Sequence, residues 1–154
     1  GSEPRLQSEE MELRFSTNSP PRVERLEARQ NVIFEQGLPG VTNGAAIYRR
    51  MTARTIVAAT DSATDKLREV VADGDVKIEE PGTQATGDSA VYTTATDTLK
   101  LTGNTVLETP DLIFTESPEV YWNRAEKKFV ARVPCVMKTK PGGLKRIGES
   151  QKLP

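Results

Sequence analysis

The sequence predicts an all-β protein, and three observations carry that prediction. Apolar and polar residues alternate with a period of two through most of the chain. The strand segments are rich in Val, Ile and Thr, which fit a pleated, half-buried surface. The pattern also repeats, as four segments of strand, short polar turn and strand. Of the 154 residues, 36% are hydrophobic and 28% charged. That apolar share is low for a two-layer globule and high for a disordered chain, and it suits a thin fold with one narrow apolar lining.

The first unit runs Ser8-Glu-Glu-Met-Glu-Leu-Arg-Phe15, turns through Thr17-Asn-Ser-Pro-Pro21, and continues as Val23-Glu-Arg-Leu-Glu-Ala-Arg-Gln-Asn-Val-Ile-Phe34. Met11, Leu13 and Phe15 share one face, and Glu10, Glu12 and Arg14 share the other. The second unit is Thr52-Ala-Arg-Thr-Ile-Val57, a turn at 61–65, and Leu67 to Ile78. The third is Thr86-Gly-Asp-Ser-Ala-Val-Tyr92, the turn Thr94-Ala-Thr-Asp97, and Leu99 to Leu107. The fourth is Thr115 to Trp122, the turn Asn123-Arg-Ala-Glu-Lys127, and Phe129 to Met137. The turns use residues that favour turn backbone shapes or bond back to the main chain. Gly37-Leu-Pro-Gly40, Pro81-Gly82 and Pro110-Asp111 punctuate the units without forming domain linkers. The stretch from Gly37 to Gly44 lacks alternation and reads as a surface loop, with a lip over the interior as the other option.

A second regularity sits inside the strands: Ala28-Arg-Gln-Asn-Val32, Ala72-Asp-Gly-Asp-Val76 and Leu101-Thr-Gly-Asn-Thr-Val106. Gly or Asn within a strand marks a bulge or a sharp bend. If the three occupy one column, every unit bends at the same level and the stack becomes a curved trough. Asp73 and Asp75 resemble calcium ligands, but no further acidic residues follow at loop spacing, so a structural bend is expected and no metal site.

Composition narrows the function classes. A net charge of -1 provides no basic field for nucleic acid, and no apolar run is long enough to span a bilayer as a helix. There is no histidine, and Cys135 is the one cysteine, which removes internal disulfides, the usual zinc sites and the triad nucleophiles. Carboxylate, lysine or tyrosine chemistry remains, but the alternating surface carboxylates form no focus of the kind a glycosidase needs. No enzymatic activity, catalytic residue or cofactor is expected. Cys135 reads as a small buried apolar residue with nothing nearby to activate it. Alternation puts only one of Tyr121 and Trp122 inside, which argues against a paired aromatic platform for sugars.

Gly87-Asp-Ser-Ala-Val-Tyr92 followed by Ala95-Thr-Asp-Thr-Leu-Lys-Leu-Thr-Gly-Asn104 resembles the OstA repeat of the lipopolysaccharide-transport proteins, the LptA, LptC and LptD N-terminal family. Ser8-Glu-Glu-Met-Glu-Leu13 and Val71-Ala-Asp-Gly-Asp-Val76 are similar to further pieces of the same pattern, and the resemblance spans roughly residues 6 to 139. It implies an open β-jellyroll of stacked antiparallel strands in the periplasm, non-enzymatic, carrying lipopolysaccharide acyl chains in an apolar trough. It also implies partners: other Lpt-type β-jellyrolls joined by edge-strand pairing, and a second copy of the chain stacked head to tail.

The register puts Leu13, Phe15, Leu26, Val32 and Phe34 inward from the first unit, and Val57, Val70, Val76 and Ile78 from the second. Val91, Leu99, Leu101 and Val106 follow from the third, and Val120, Trp122, Phe129 and Val136 from the fourth. These are the candidate lipid-binding residues. Alternation alone is equally consistent with a dry core, and a one-residue slip would invert the set. A structural β-repeat that acts by strand pairing without lipid is the alternative reading.

The expected organisation is a β-jellyroll domain over 3–139, a flexible basic tail over 140–154, and a tag remnant at Gly1-Ser2. From Lys138 onward, Lys138, Lys140, Lys145, Arg146 and Lys152 make this end basic; a solvated, mobile end and a contact for lipid phosphates or an anionic membrane surface are its two readings. Pro134 is expected to blunt the last strand or mark a bulge that ends its pairing.

Overall fold

The computed structural model describes the backbone of residues 5–17, 19–42, 45–61, 63–64, 66–132 and 134–141, with side chains for the same residues except 38–42 and 45–48. The expected tag remnant and the tail beyond 141 lie outside the described residues. Among the described residues, ten strands form one antiparallel sheet: β1 (Arg5–Gln7), β2 (Glu10–Phe15), β3 (Val23–Thr42), β4 (Ala45–Thr60), β5 (Leu67–Glu80), β6 (Thr83–Thr93), β7 (Thr98–Glu108), β8 (Leu112–Asn123), β9 (Lys128–Ala131) and β10 (Val136–Thr139). From β3 to β8 each strand pairs with the next in sequence. At one end β1 and β2 both pair with β3, and at the other β9 and β10 both pair with β8.

The all-β prediction holds, and so does the bend column. Gln30 and Asn31 have φ of 66° and 52°, Gly74 and Asp75 have 85° and 49°, and Gly103 and Asn104 have 79° and 47°. Two successive left-handed residues turn each strand sharply, and Gly, Asn and Asp tolerate that backbone best. The ladder slips at the same level on every neighbour, between Arg29 and Val32, Asp73 and Val76, and Thr102 and Thr105. Asp73 and Asp75 serve this bend: Ser89 donates to the Asp73 carboxylate at 2.6 Å, and Asp75 lies 3.5 Å from Arg54.

The column divides the sheet into two arms. One holds β2, the first halves of β3, β5 and β7, the matching halves of β4, β6 and β8, and β9. The other holds β1, the remaining halves and β10. Val70 and Ile78 of β5 would stand about 26 Å apart in a straight strand, yet both line one small cavity with Met51 and Leu99. The arms therefore face each other, and the sheet packs against itself.

The core between the arms consists of Ala28, Val32, Met51, Ala53, Ile56, Val70, Ala72, Val76, Ile78, Ala85, Ala90, Leu99, Leu101, Leu107, Val120 and Trp122.

Four expectations need correction. The stretch 37–44 is not a plain loop: its described part extends β3 and β4 into a long hairpin, with Gly37 opposite Tyr48 and Thr42 opposite Ala45. Backbone pairing continues through this stretch past a bulge between Leu38 and Val41, so the lack of alternation does not end the strands. The fourth unit's second strand breaks into β9 and β10 around Pro134, which has no N–H for the ladder. Cys135 is exposed rather than buried, because it lies in that break with no strand beside it. The first unit opens with an extra strand, β1, separated from β2 at the level of the bend.

At the Gly103 bend the neighbouring strand crosses so closely that an added Cβ would sit 2.7 Å from the Asp88 Cβ. Gly103→Ala should destabilise the protein by about 1–3 kcal/mol, read as a lower urea midpoint, and pairing it with Asp88→Ala should recover part of the loss. An unchanged midpoint would show that the strands do not cross this tightly.

Candidate functional site

The inner surface of the folded sheet is a continuous apolar seam. Of the candidates from the register, Val32, Val70, Val76, Ile78, Leu99, Leu101, Val120 and Trp122 are buried in it. Leu26, Phe34 and Phe129 pack against it, partly buried. The Trp122 and Phe129 rings lie 4.9 Å apart across the β8–β9 pair.

Leu13 and Phe15 belong to the inner face but are not covered. Leu13 pairs with Leu26 and Met11 with Ala28, so all share one face, yet Met11, Leu13 and Phe15 are 42%, 45% and 58% exposed. β2 ends the sheet, and among the described residues nothing beyond it closes the seam. The seam is open at this end.

Four candidates face the other way. Val57 is displaced by Ile56, Val91 by Ala90 and Tyr92, and Val106 by Thr105 and Leu107, all of which lie on the inner face. In each case apolar residues stand side by side in the sequence and the bend shifts the phase between arms. Val136 pairs with Thr115 on the outer face, whereas Met137 pairs with Phe114 on the inner face and is 54% exposed. The break around Pro134 caused that slip. Tyr121 also points outward, under Lys100 and Arg132 at 5.8 Å and 5.5 Å.

The arms meet over the seam, opposite the bend, through a polar cluster that alternation did not reveal. Arg49 of β4 and Glu80 of β5 are inner-face residues at the far end of one arm. Tyr92 of β6, Asp97 of the following turn and Arg124 after β8 stand at the far end of the other. Arg49 Nε lies 2.7 Å from Glu80 Oε1, and Arg124 Nη2 lies 2.9 Å from the same oxygen. Arg49 also donates to Gln36 Oε1 at 3.1 Å. Tyr92 donates to Asp97 Oδ1 at 2.7 Å, and Arg124 Nη1 lies 3.6 Å from that oxygen. The Arg124 guanidinium sits 5.8 Å from the Tyr92 ring centre and 5.5 Å from that of Trp122. Burial pushes the Glu80 carboxyl above its usual range, against the pull of Arg49. Such residues could have been found by phase, since Glu80 keeps step with Val76 and Ile78, and Arg49 with Met51.

Beneath this cluster the space between the arms is about 20 Å³, bounded by Phe34, Met51, Val70, Ile78 and Leu99. That is room for about one water. The seam is packed by its own side chains, and an acyl chain would have to part the arms to enter. Among the described residues no group of acidic or cysteine side chains could hold a metal ion, and no helix is long and apolar enough to cross a membrane.

Burial and the bond to Asp97 raise the Tyr92 pKa to about 12. A tyrosine held protonated by the fold adds stability that is complete below its unfolded pKa of about 10 and is lost as pH rises through the folded value. Titration at 295 nm should therefore show a late-ionising tyrosine that Tyr92→Phe removes. Its absence from the wild-type curve would show that the arms are not joined here.

Comparison with known proteins agrees with this geometry. In a search of solved structures, LptH from Pseudomonas aeruginosa, described as the LptA homologous periplasmic component of the conserved lipopolysaccharide transport device, superposes with a TM-score of 0.68 at 15% identity, over 90% of this chain and 96% of that one. At that identity the likeness shows the fold, a β-jellyroll of the LptA kind. No curated protein matches the sequence. The profile of the family described as LptA/(LptD N-terminal domain) LPS transport protein matches residues 48–125, half of the chain, and the protein belongs to that family.

Proposed function

We propose that this protein is a non-enzymatic periplasmic module that binds lipopolysaccharide by its acyl chains between the two arms and passes it along a stack of β-jellyrolls. The observation that carries this reading is the apolar seam. It runs from exposed Met11, Leu13 and Phe15 at one end, through the buried core, to exposed Met137 at the other. Burying a methylene contributes about 0.8 kcal/mol, so several acyl chains offset the cost of parting a packed interior. Family membership and the LptH likeness support the same reading.

The candidate contacts are the inner-face residues named above, with Met11, Met137 and Leu107 added and Val57, Val91, Val106 and Val136 set aside. Lipid A titrated into the protein should change Trp122 fluorescence and co-elute with the protein on a sizing column. A folded protein that shows neither effect is the outcome that favours the alternative of a lipid-free assembly module.

The ends support head-to-tail stacking. The arm from β2 to β9 contains eight alternating strands, so β2 of a following copy would add antiparallel to β9 and extend the sheet without a break. The outer face of β2 carries Glu10 and Glu12, while β9 and the residues beside it carry Lys127, Lys128 and Arg132. Glu12 is held ionised by Arg29, 3.0 Å away on β3, which lowers its pKa. Self-association measured by sedimentation should weaken as salt rises, and further with Glu10→Lys and Glu12→Lys. Association unaffected by both would remove the β2–β9 contact.

A further inference from the structure

The polar cluster over the seam holds more than a clasp needs. Two guanidiniums from different arms converge on one oxygen of Glu80. The Arg124 side chain is 10% exposed, and its Nε–H has no acceptor among the described residues. The Nε of Arg49 is buried as well, and its contact with Glu80 lies off the hydrogen-bonding direction. Burying two arginines with donors left over is a poor way to tie two arms together, since well-packed apolar residues do as well or better. The donors border a cavity with an apolar floor, with Met51, Ile78 and Leu99 beneath them. An anion of higher charge than one carboxylate fits the arrangement. A phosphate monoester carries nearly two charges and offers three acceptor oxygens, matching paired guanidinium forks.

We propose that Arg49 and Arg124 bind a phosphate group of an amphiphile whose apolar chains lie in the seam, and that Glu80 occupies this site when no ligand is present. The exchange is one anion for another. The arginines keep a partner throughout, so the arms can part for the chains without exposing two unpaired buried cations. This rests on the lipid-carrier reading above and adds the polar half of its site. Trp122, against which Arg124 is stacked, reports on both halves.

The test compares lipid A bearing both phosphates with the same lipid after both phosphates are removed, using Trp122 fluorescence. Wild type should bind the phosphorylated form at least tenfold more tightly. Arg49→Gln with Arg124→Gln should bring the two lipids within about twofold of each other. Glu80→Gln removes the resident anion with little change of shape and should tighten binding of the phosphorylated form more than the other. Far-UV circular dichroism checks folding. If the double variant does not fold, Arg124→Lys, which keeps the charge but loses the fork, should still lower the preference severalfold.

Inorganic phosphate at millimolar concentration is the third arm. No fluorescence change and no competition is expected, because the chains supply most of the affinity. Equal binding of both lipids by wild type, or a preference that survives in the arginine variants, overturns the phosphate site and leaves the carrier reading intact. Strong binding of inorganic phosphate alone assigns the site to the free anion and overturns its link to an amphiphile. Failure of both lipids to bind wild type removes the carrier reading and this site with it.

Discussion

A single sheet with one apolar face has no second layer to cover it. This chain resolves that constraint by bending every long strand at one level, so that the sheet covers itself. The paired left-handed residues at 30–31, 74–75 and 103–104 are therefore the feature on which the rest depends. Without them β5 would be a straight rod exposing Val70, Val76 and Ile78 to water. With them, one sheet supplies both walls of an interior, and the low apolar content of the chain becomes sufficient. The close approach of Asp88 to Gly103 and of Arg54 to Gly74 shows how little space the bends leave for a side chain.

Much of this was legible because bends and turns have chemistry of their own. Ala-Asp-Gly-Asp-Val and Leu-Thr-Gly-Asn-Thr-Val announce the column, and the hairpin turns at 94–97 and 124–127 follow from their composition, with Asp97 and Lys127 closing them at positive φ. Register was less legible, for a definite reason. Where Ile56 stands beside Val57, or Val106 beside Leu107, both phases look apolar, and the bend resets the phase halfway along each strand. The long hairpin past Gly37 is not legible because its sequence lacks the alternation that marks a strand.

The polar cluster was hidden differently. Residue type assigns charged side chains to the solvent, so Arg49, Glu80 and Arg124 read as ordinary surface positions even though phase puts Arg49 and Glu80 on the inner face. Only the facing of the arms brings them together, and no local pattern encodes which strand ends will meet. Their burial has an energetic cost that the surrounding charges and rings offset: Arg124 lies against Tyr92 and Trp122 and between two carboxylates. The outer surface follows the opposite economy. Exposed pairs such as Arg29 with Glu10 and Glu12 join β2 to β3 in full reach of solvent, where such contacts add little each.

The split of both terminal strands at the bend has a consequence for how the molecule could meet a neighbour. Each end presents two short strands on separate arms, β1 with β2 and β9 with β10, instead of one continuous edge. A strand of three to six residues pairs weakly alone, so a firm junction has to engage both at once, as a bivalent contact. The spacing of the two strands is the width of the seam. Whatever spreads the arms alters the fit at both ends, and by reciprocity a neighbour that grips both strands sets how far the arms can spread. In the proposed stack, filling and joining would then be two faces of one equilibrium.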